Sequence, residues 1–322
     1  MKNLFDEFSP PFSILNKIIP IKVTFIVNHL CNLDCLYCNV KSLMNDSMTL
    51  SEIREMIDEF KDMGMRQMNF IGGEPLLRDD LGEILTYCKN KGIITCVHSN
   101  GMLIPRVDET ILSNIDTFIT CVNGPKDIHE ATRGKNTYQK TLNAIKLMKE
   151  RNAKVIVDFI LSKLNTEPEV LNNVLALSKE LDFLVNFQPV NEHKLVNADS
   201  ETVKNLKLSQ QELRRVVQYI LKHFDTHRNI NSKEYFMDLI SQGYSYFDRC
   251  YIGIFCCVVN AGGTIHRCYK YLRESDGESG LVLGWKKAFL QMQVKLGDCR
   301  TCQYTMHIED NYSLISKLKK LK

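Results

Sequence analysis

The sequence predicts an α/β protein, a partial (βα)6 TIM-like barrel followed by a small cysteine-rich carboxy-terminal unit. Three observations predict it. Between Ile21 and Pro189, short runs rich in β-formers alternate with segments of helical periodicity, the pattern of a mostly parallel sheet. After Pro189 that alternation stops. From Cys250 onward the chain is rich in Cys, Gly and Tyr.

The expected strands are Lys22 to Val27, Gln67 to Ile71, Ile94 to Ser99, Thr117 to Val122, Lys154 to Ile160 and Phe183 to Phe187. The first clear helix shows how each unit is read. Thr49 and Glu52 form a capping box, Ile53, Met56, Ile57 and Phe60 recur at helical spacing, and Gly64 stops the run. Six such units fall short of a closed eight-fold barrel. Beyond them Asn191 to Leu208 is polar, Ser209 to Asp225 reads as a helix, and the domain boundary falls between Asn229 and Asp248. The expected organisation is 1–20 as an extension, 21–235 as the barrel and 236–322 as the cysteine-rich unit.

Composition excludes several classes. With 44% hydrophobic and 25% charged residues the 322-residue chain is an ordinary globular one, neither disordered nor fibrous. The net charge of +3 comes from balanced, dispersed acids and bases, so no basic stripe points to nucleic acid. The Lys-rich stretch Ser316 to Lys322 reads as a solvated helix terminus. The amino-terminal stretch carries Asp6, Glu7, Pro10 and Pro11 and lacks the pattern of a signal peptide, and no apolar run suits a bilayer. A cytoplasmic location is expected. There, twelve cysteines point to metal ligation or chemistry before disulfides.

Directly after the first strand, Cys31, Cys35 and Cys38 form a CxxxCxxC loop. Three thiolates are offered. A [4Fe–4S] cluster normally takes four, so three leave one iron open to another ligand. The zinc alternative needs a fourth Cys or His close by, and His29 precedes the loop instead of completing it.

In spacing and position this loop resembles that of the radical S-adenosylmethionine (SAM) superfamily, with Tyr37 at the aromatic place of CxxxCxΦC. The resemblance implies that the open iron chelates the amino and carboxylate groups of SAM, that Tyr37 lies beside the adenine, and that one electron releases a 5′-deoxyadenosyl radical. It also implies an electron donor such as flavodoxin or ferredoxin. Gly72-Gly73-Glu74-Pro75, after the second strand, is similar to the family's GGEP segment, with Glu74 facing the SAM ammonium. Ser99-Asn100-Gly101 is similar to the (T/S)NG stretch that meets the SAM ribose or carboxylate. Cys121-Val-Asn123-Gly124-Pro125, with His129 and Arg133-Gly134, resembles the SxDGP, HD and RG run of the peptide-maturing subgroup. It departs from that run at Cys121, Asn123 and Glu130, where Ser, Asp and Asp are expected. Arg133 is the implied partner of the SAM carboxylate.

Further on, Gly263-Thr-Ile-His-Arg-Cys268 resembles the G-x4-C element of SPASM and Twitch extensions, and Val258 to Asn260 with Thr264 to Arg267 suit the hairpin those extensions use. Cys250, Cys268, Cys299 and Cys302 would hold one auxiliary [4Fe–4S] cluster, with Cys256 as an alternate ligand and a structural zinc site as the competing reading. Cys256, Cys257, Cys88 and Cys96 otherwise read as core residues. Cys256 or Cys257 is also a candidate hydrogen-atom donor. The implied substrate is a ribosomal peptide or other natural product, with a small-molecule dehydrogenase or epimerase as the alternative. About twenty residues before the first strand are too few for a peptide-binding domain, so a separate peptide-binding protein would supply it. A zinc-dependent binding protein and an RNA-modifying enzyme are the readings of other classes.

Overall fold

The computed structural model describes residues 19–42, 47–190, 201–223, 228–248, 250–272, 277–294, 300–302 and 305–319. Its first half alternates as expected. The elements run β1 (Lys22–Ile26), α1 (Leu50–Asp62), β2 (Gln67–Ile71), α2 (Leu81–Asn90), β3 (Ile94–His98), α3 (Glu109–Ser113) and β4 (Thr117–Cys121). Then come α4 (Lys126–Arg133), α5 (Tyr138–Glu150), β5 (Lys154–Leu161), α6 (Pro168–Leu181) and β6 (Leu184–Pro189). The six strands are neighbours in sequence order and pair in parallel, as a partial barrel requires.

Alternation along each strand divides the sheet into two chemically different faces. Val23, Phe25, Phe70, Val97, Phe118, Val157, Phe159 and Phe187 lie in the main apolar core. The intervening residues Lys22, Thr24, Asn69, His98, Asp158 and Asn186 face a central cavity. Helix α1 meets the core through the four residues that its periodicity marked, Ile53, Met56, Ile57 and Phe60. Its capping box is formed, with Thr49 N–H donating to Glu52 Oε2 at 2.7 Å and Glu52 N–H to Thr49 Oγ1 at 3.4 Å. Gly64 follows its C-cap at φ 111°.

The remaining elements are α7 (Glu201–Leu206), α8 (Gln210–His223), α9 (Lys233–Ser241), β7 (Ser245–Tyr246), β8 (Cys256–Val259), β9 (Thr264–His266), β10 (Glu278–Ser279), α10 (Gly280–Leu283), α11 (Trp285–Val294), β11 (Thr301–Cys302) and α12 (Thr305–Lys319). The β8–β9 hairpin falls where the sequence places it, with Val258 opposite His266. It also joins the barrel sheet: β8 lies parallel to β1, Lys22 beside Cys256 and Val23 beside Cys257. The order β10-β9-β8-β1-β2-β3-β4-β5-β6 therefore makes one sheet of nine strands. Trp285 and Phe289 of α11 sit 6.0 and 6.2 Å from the Phe60 ring, extending the same core.

Helix α12 is fixed against the barrel by polar contacts from successive residues. Lys22 Nζ pairs with Asp310 Oδ2 at 2.7 Å, both side chains being buried. Burial works against the Lys22 ammonium, but Asp310 overrides it and its pKa is raised. Glu309 Oε1 receives Ser232 N–H at 2.9 Å, and Asn311 Oδ1 receives Tyr251 N–H at 2.8 Å. Among the described residues no helix is long and apolar enough to cross a membrane.

Candidate functional site

A cavity of about 420 Å³ opens at the carboxy-terminal ends of the barrel strands, where parallel α/β folds gather their loops. Cys31, Cys35 and Cys38 line it, on the loop that follows β1. Burial pushes the thiols of Cys31 and Cys38 above the ordinary range, and the neighbouring Cys35 adds to the rise in both. In this conformation no three His, Cys, Asp or Glu side chains among the described residues stand close enough to hold a metal ion.

The cysteine loop is held from two sides. On one, Gly73 N–H donates to Asn28 O at 3.0 Å, Glu74 N–H to Leu30 O at 2.6 Å, and Asn28 Nδ2 to Glu74 O at 3.2 Å. A Cβ on Gly72 would overlap the Asn28 carbonyl oxygen and one on Gly73 that of Leu30, and Gly72 also has φ 152°. The glycine pair thus lets one loop lie directly on another, the close approach being to the chain itself. Fully buried Glu74 extends the network: Oε1 accepts Leu76 N–H at 3.1 Å and Oε2 accepts Asn100 N–H at 2.8 Å. Burial raises its pKa against those hydrogen bonds. Asn100 Nδ2 then donates back to Asn32, inside the cysteine loop, at 2.7 Å. Ser99 Oγ accepts Gly101 N–H at 3.0 Å, and buried Pro75 opens a short 3-10 turn.

On the other side, Leu36 N–H donates to Thr132 O at 2.8 Å. The Tyr37 hydroxyl accepts from Arg133 Nη1 at 2.9 Å and from Asn123 Nδ2 at 3.0 Å, and it shares a hydrogen bond with the Cys121 thiol. Burial raises the Tyr37 pKa and pushes Cys121 up to about 12, so both keep their protons at neutral pH. Arg133 is only 7% exposed, makes no ion pair among the described residues, and leaves Nε without a hydrogen-bond partner. His129, one turn earlier, is also buried, its pKa lowered to about 3 by burial and by Arg133.

The deeper wall of the cavity is polar and was not singled out from the sequence. Cys121, Asp158 and Asn186 form one rung across β4, β5 and β6. Asn186 Nδ2 donates to Asp158 Oδ1 at 2.7 Å, and burial moves Asp158 up to about 6. Asp158 is the one carboxylate lining the cavity among the described residues. Burial and Lys22 hold His98 down at about 4. The signal was present: polar residues at alternate positions of strands expected to be buried on both faces mark an inward polar surface. Thr305, Met306 and His307 of α12 close the wall, with Tyr269 stacked on His307 at 5.1 Å. No local motif could announce that long-range contact.

The carboxy-terminal cysteines divide. Cys250, Cys256 and Cys268 gather in one apolar patch with Ile21, Phe255 and Leu314. Asn311 Nδ2 donates to Cys250 Sγ at 3.4 Å. Cys302 sits opposite Ser245 and packs on the main core, while Cys299 lies outside the described residues. Cys256 shares the Lys22 face of the sheet and Cys257 the apolar Val23 face, and neither lines the cavity. Cys88 is buried in the main core and Cys96 in a small cluster with Ile119 and Ile156.

These features fit an iron–sulfur cluster with SAM. Three thiol donors face one cavity, and a buried guanidinium with an unused donor stands beside them, suited to a carboxylate. Comparison with known proteins agrees. Residues 25–170 match the model of the Radical SAM superfamily. The AdoMet-dependent heme synthase of Methanosarcina barkeri is 27% identical over 158 residues, 47% of this chain and 45% of that protein. The PqqA peptide cyclase of Bradyrhizobium diazoefficiens is 25% identical over 171 residues, 51% of this chain and 44% of the relative. The matches thus span less than half of these curated relatives. The fold matches Streptococcus suis SuiB bound to S-adenosylmethionine, with a TM-score of 0.68 at 13% identity over 87% of this chain and 66% of that one. It also matches native anSMEcpe with bound AdoMet, with a TM-score of 0.65 at 18% identity over 84% and 80%.

Proposed function

We propose that this chain, whose residues 25–170 match the Radical SAM superfamily, is an enzyme that uses SAM to remove hydrogen from a substrate C–H in maturing a peptide or related natural product. The observation that carries this reading is the meeting of Cys31, Cys35, Cys38 and Arg133 in one cavity. When bound, the cluster and SAM supply a one-electron cleavage that yields a 5′-deoxyadenosyl radical. Everything else falls to the chain.

The three thiols hold a cluster with one iron open. Arg133 receives the SAM carboxylate, for which Nε is free. Glu74 fixes the second and third loops from behind the cavity wall, its carboxylate accepting from Leu76, Asn100 and Ser99. Ser99 and Asn100 border the same space, and Tyr37 closes its side. Asp158, Asn186 and Gln188 present acceptors and donors to the substrate, a wall suited to peptide amides or hydroxyl groups. The PqqA peptide cyclase and the SuiB structure solved with precursor peptide SuiA supply the analogy for a peptide substrate. An auxiliary cluster on Cys250, Cys268, Cys299 and Cys302, with Cys256 as alternate, a low-potential electron donor and a cytoplasmic location complete the proposal.

The test is anaerobic reconstitution with iron and sulfide, reduction, and chromatography for 5′-deoxyadenosine. Brown protein that forms it from SAM is the expected result. Colourless, zinc-loaded protein that leaves SAM intact would sink the reading.

A further inference from the structure

We propose that Asn123 is a positioning residue that keeps Arg133 out of a direct ion pair, leaving a preformed cation in the cavity of Cys35 that receives the SAM carboxylate and eases reduction of the cluster. This rests on the cofactor reading above and goes beyond it. Asn123 is a place where the chain departs from the run that it resembles, which carries Asp.

The geometry shows what the amide does there. Asn123 Nδ2 donates both to Tyr37 Oη and to Thr132 Oγ1, at 3.0 Å each, while Oδ1 accepts Ile160 N–H at 3.3 Å. One side chain thereby ties the cysteine loop, helix α4 and strand β5 together. Tyr37 Oη, in turn, lies 2.9 Å from Arg133 Nη1. A carboxylate at 123 would stand one hydroxyl group away from the guanidinium and neutralise much of its field in a poorly solvated site. It would also set two acceptors against each other, because Thr132 Oγ1 already donates to backbone oxygens of α4. With Asn in place, Arg133 hydrogen-bonds the Tyr37 hydroxyl and shares the cavity wall with Cys121 and the cluster ligand Cys35. Glu74 and Asp158 also face the cation, without an ion pair to it. A buried cation lacking a partner is a binding site for an anion.

The test compares wild type, N123D and N123S, each loaded with cluster, with SAM itself as the probe. N123D is expected to weaken SAM binding roughly tenfold. Its SAM-free midpoint potential, from a redox titration followed by electron paramagnetic resonance, should fall by about 59 mV, the one-electron equivalent of tenfold. N123S loses the donor but adds no charge, so its potential should stay at the wild-type value. Equal shifts in N123D and N123S would overturn the proposal in favour of packing, and an unshifted N123D would overturn it outright. Should N123D not load iron, R133Q carries the test: it must lower both SAM affinity and potential, and wild-type values for both would overturn the proposal. Failure of the cofactor reading is distinct, since wild type would then show no cluster signal for SAM to alter.

Discussion

The two cysteine-bearing regions are built by different means. The loop of Cys31, Cys35 and Cys38 follows one strand and is braced by the next three loops, through Gly73, Glu74, Asn100 and Asn123. The carboxy-terminal cysteines come from the segment before β8, the β8–β9 hairpin and β11, and α12 braces this region through Asp310 on Lys22 of β1 and Asn311 on Tyr251 and Cys250. The first region is thus held by backbone and side-chain hydrogen bonds from the loops that follow the next three strands. The second depends on buried long-range pairs, so a change there should reach stability before it reaches the cysteine loop.

The sharpest way to break this contrast lies in the first region. Cys35→Ala should abolish 5′-deoxyadenosine formation, a loss on the order of a thousandfold or more, since two thiolates do not retain the cluster. Gly73→Ala should come next. Its new Cβ meets the Leu30 carbonyl, so it should destabilise the fold by roughly 3 kcal/mol in denaturant melts and lower iron loading, with all three cysteines intact.

In the second region, Asp310→Ala removes the buried carboxylate that pairs with Lys22 and should lose about 3–5 kcal/mol of stability, most of which Lys22→Met with Asp310→Leu should restore. Cys268→Ser should lower iron from about eight to about four atoms per chain if the auxiliary cluster is present, with SAM cleavage retained. A further effect is in pH dependence. Burial raises Glu309 to about 8 from an ordinary 4.5, so the folded state binds more protons between those values. Stability should fall as pH rises through that window and level off above it. Glu309→Gln should remove the slope, as thermal melts across that window would show.

Much of the barrel was legible because its signals are local. Runs of β-formers placed all six strands to within one or two residues, Thr49 and Glu52 marked the start of α1, and Val258 to Asn260 with Thr264 to Arg267 marked the β8–β9 hairpin. The spacing of the three cysteines identified the loop that carries them. What escaped was long-range. Nothing in Cys256 to Val259 signals that it pairs with β1, since parallel pairing leaves no turn between the partners. That Gly72 and Gly73 clear the backbone of Asn28 and Leu30 also escaped, because which backbone lies opposite is a matter of three dimensions. Asp158 and Asn186 were readable in principle from the polar alternation of their strands, but only once the inward face was known.

The parallel pairing of β8 with β1 bears on how the chain emerges from the ribosome. Strand β1 has one edge satisfied early by β2, while its other edge waits for Cys256 to Val259, made much later. During that interval the nascent chain exposes an open strand edge, a hazard for misassociation. Truncation before residue 256 should therefore yield insoluble protein, even though every cysteine of the amino-terminal loop is present.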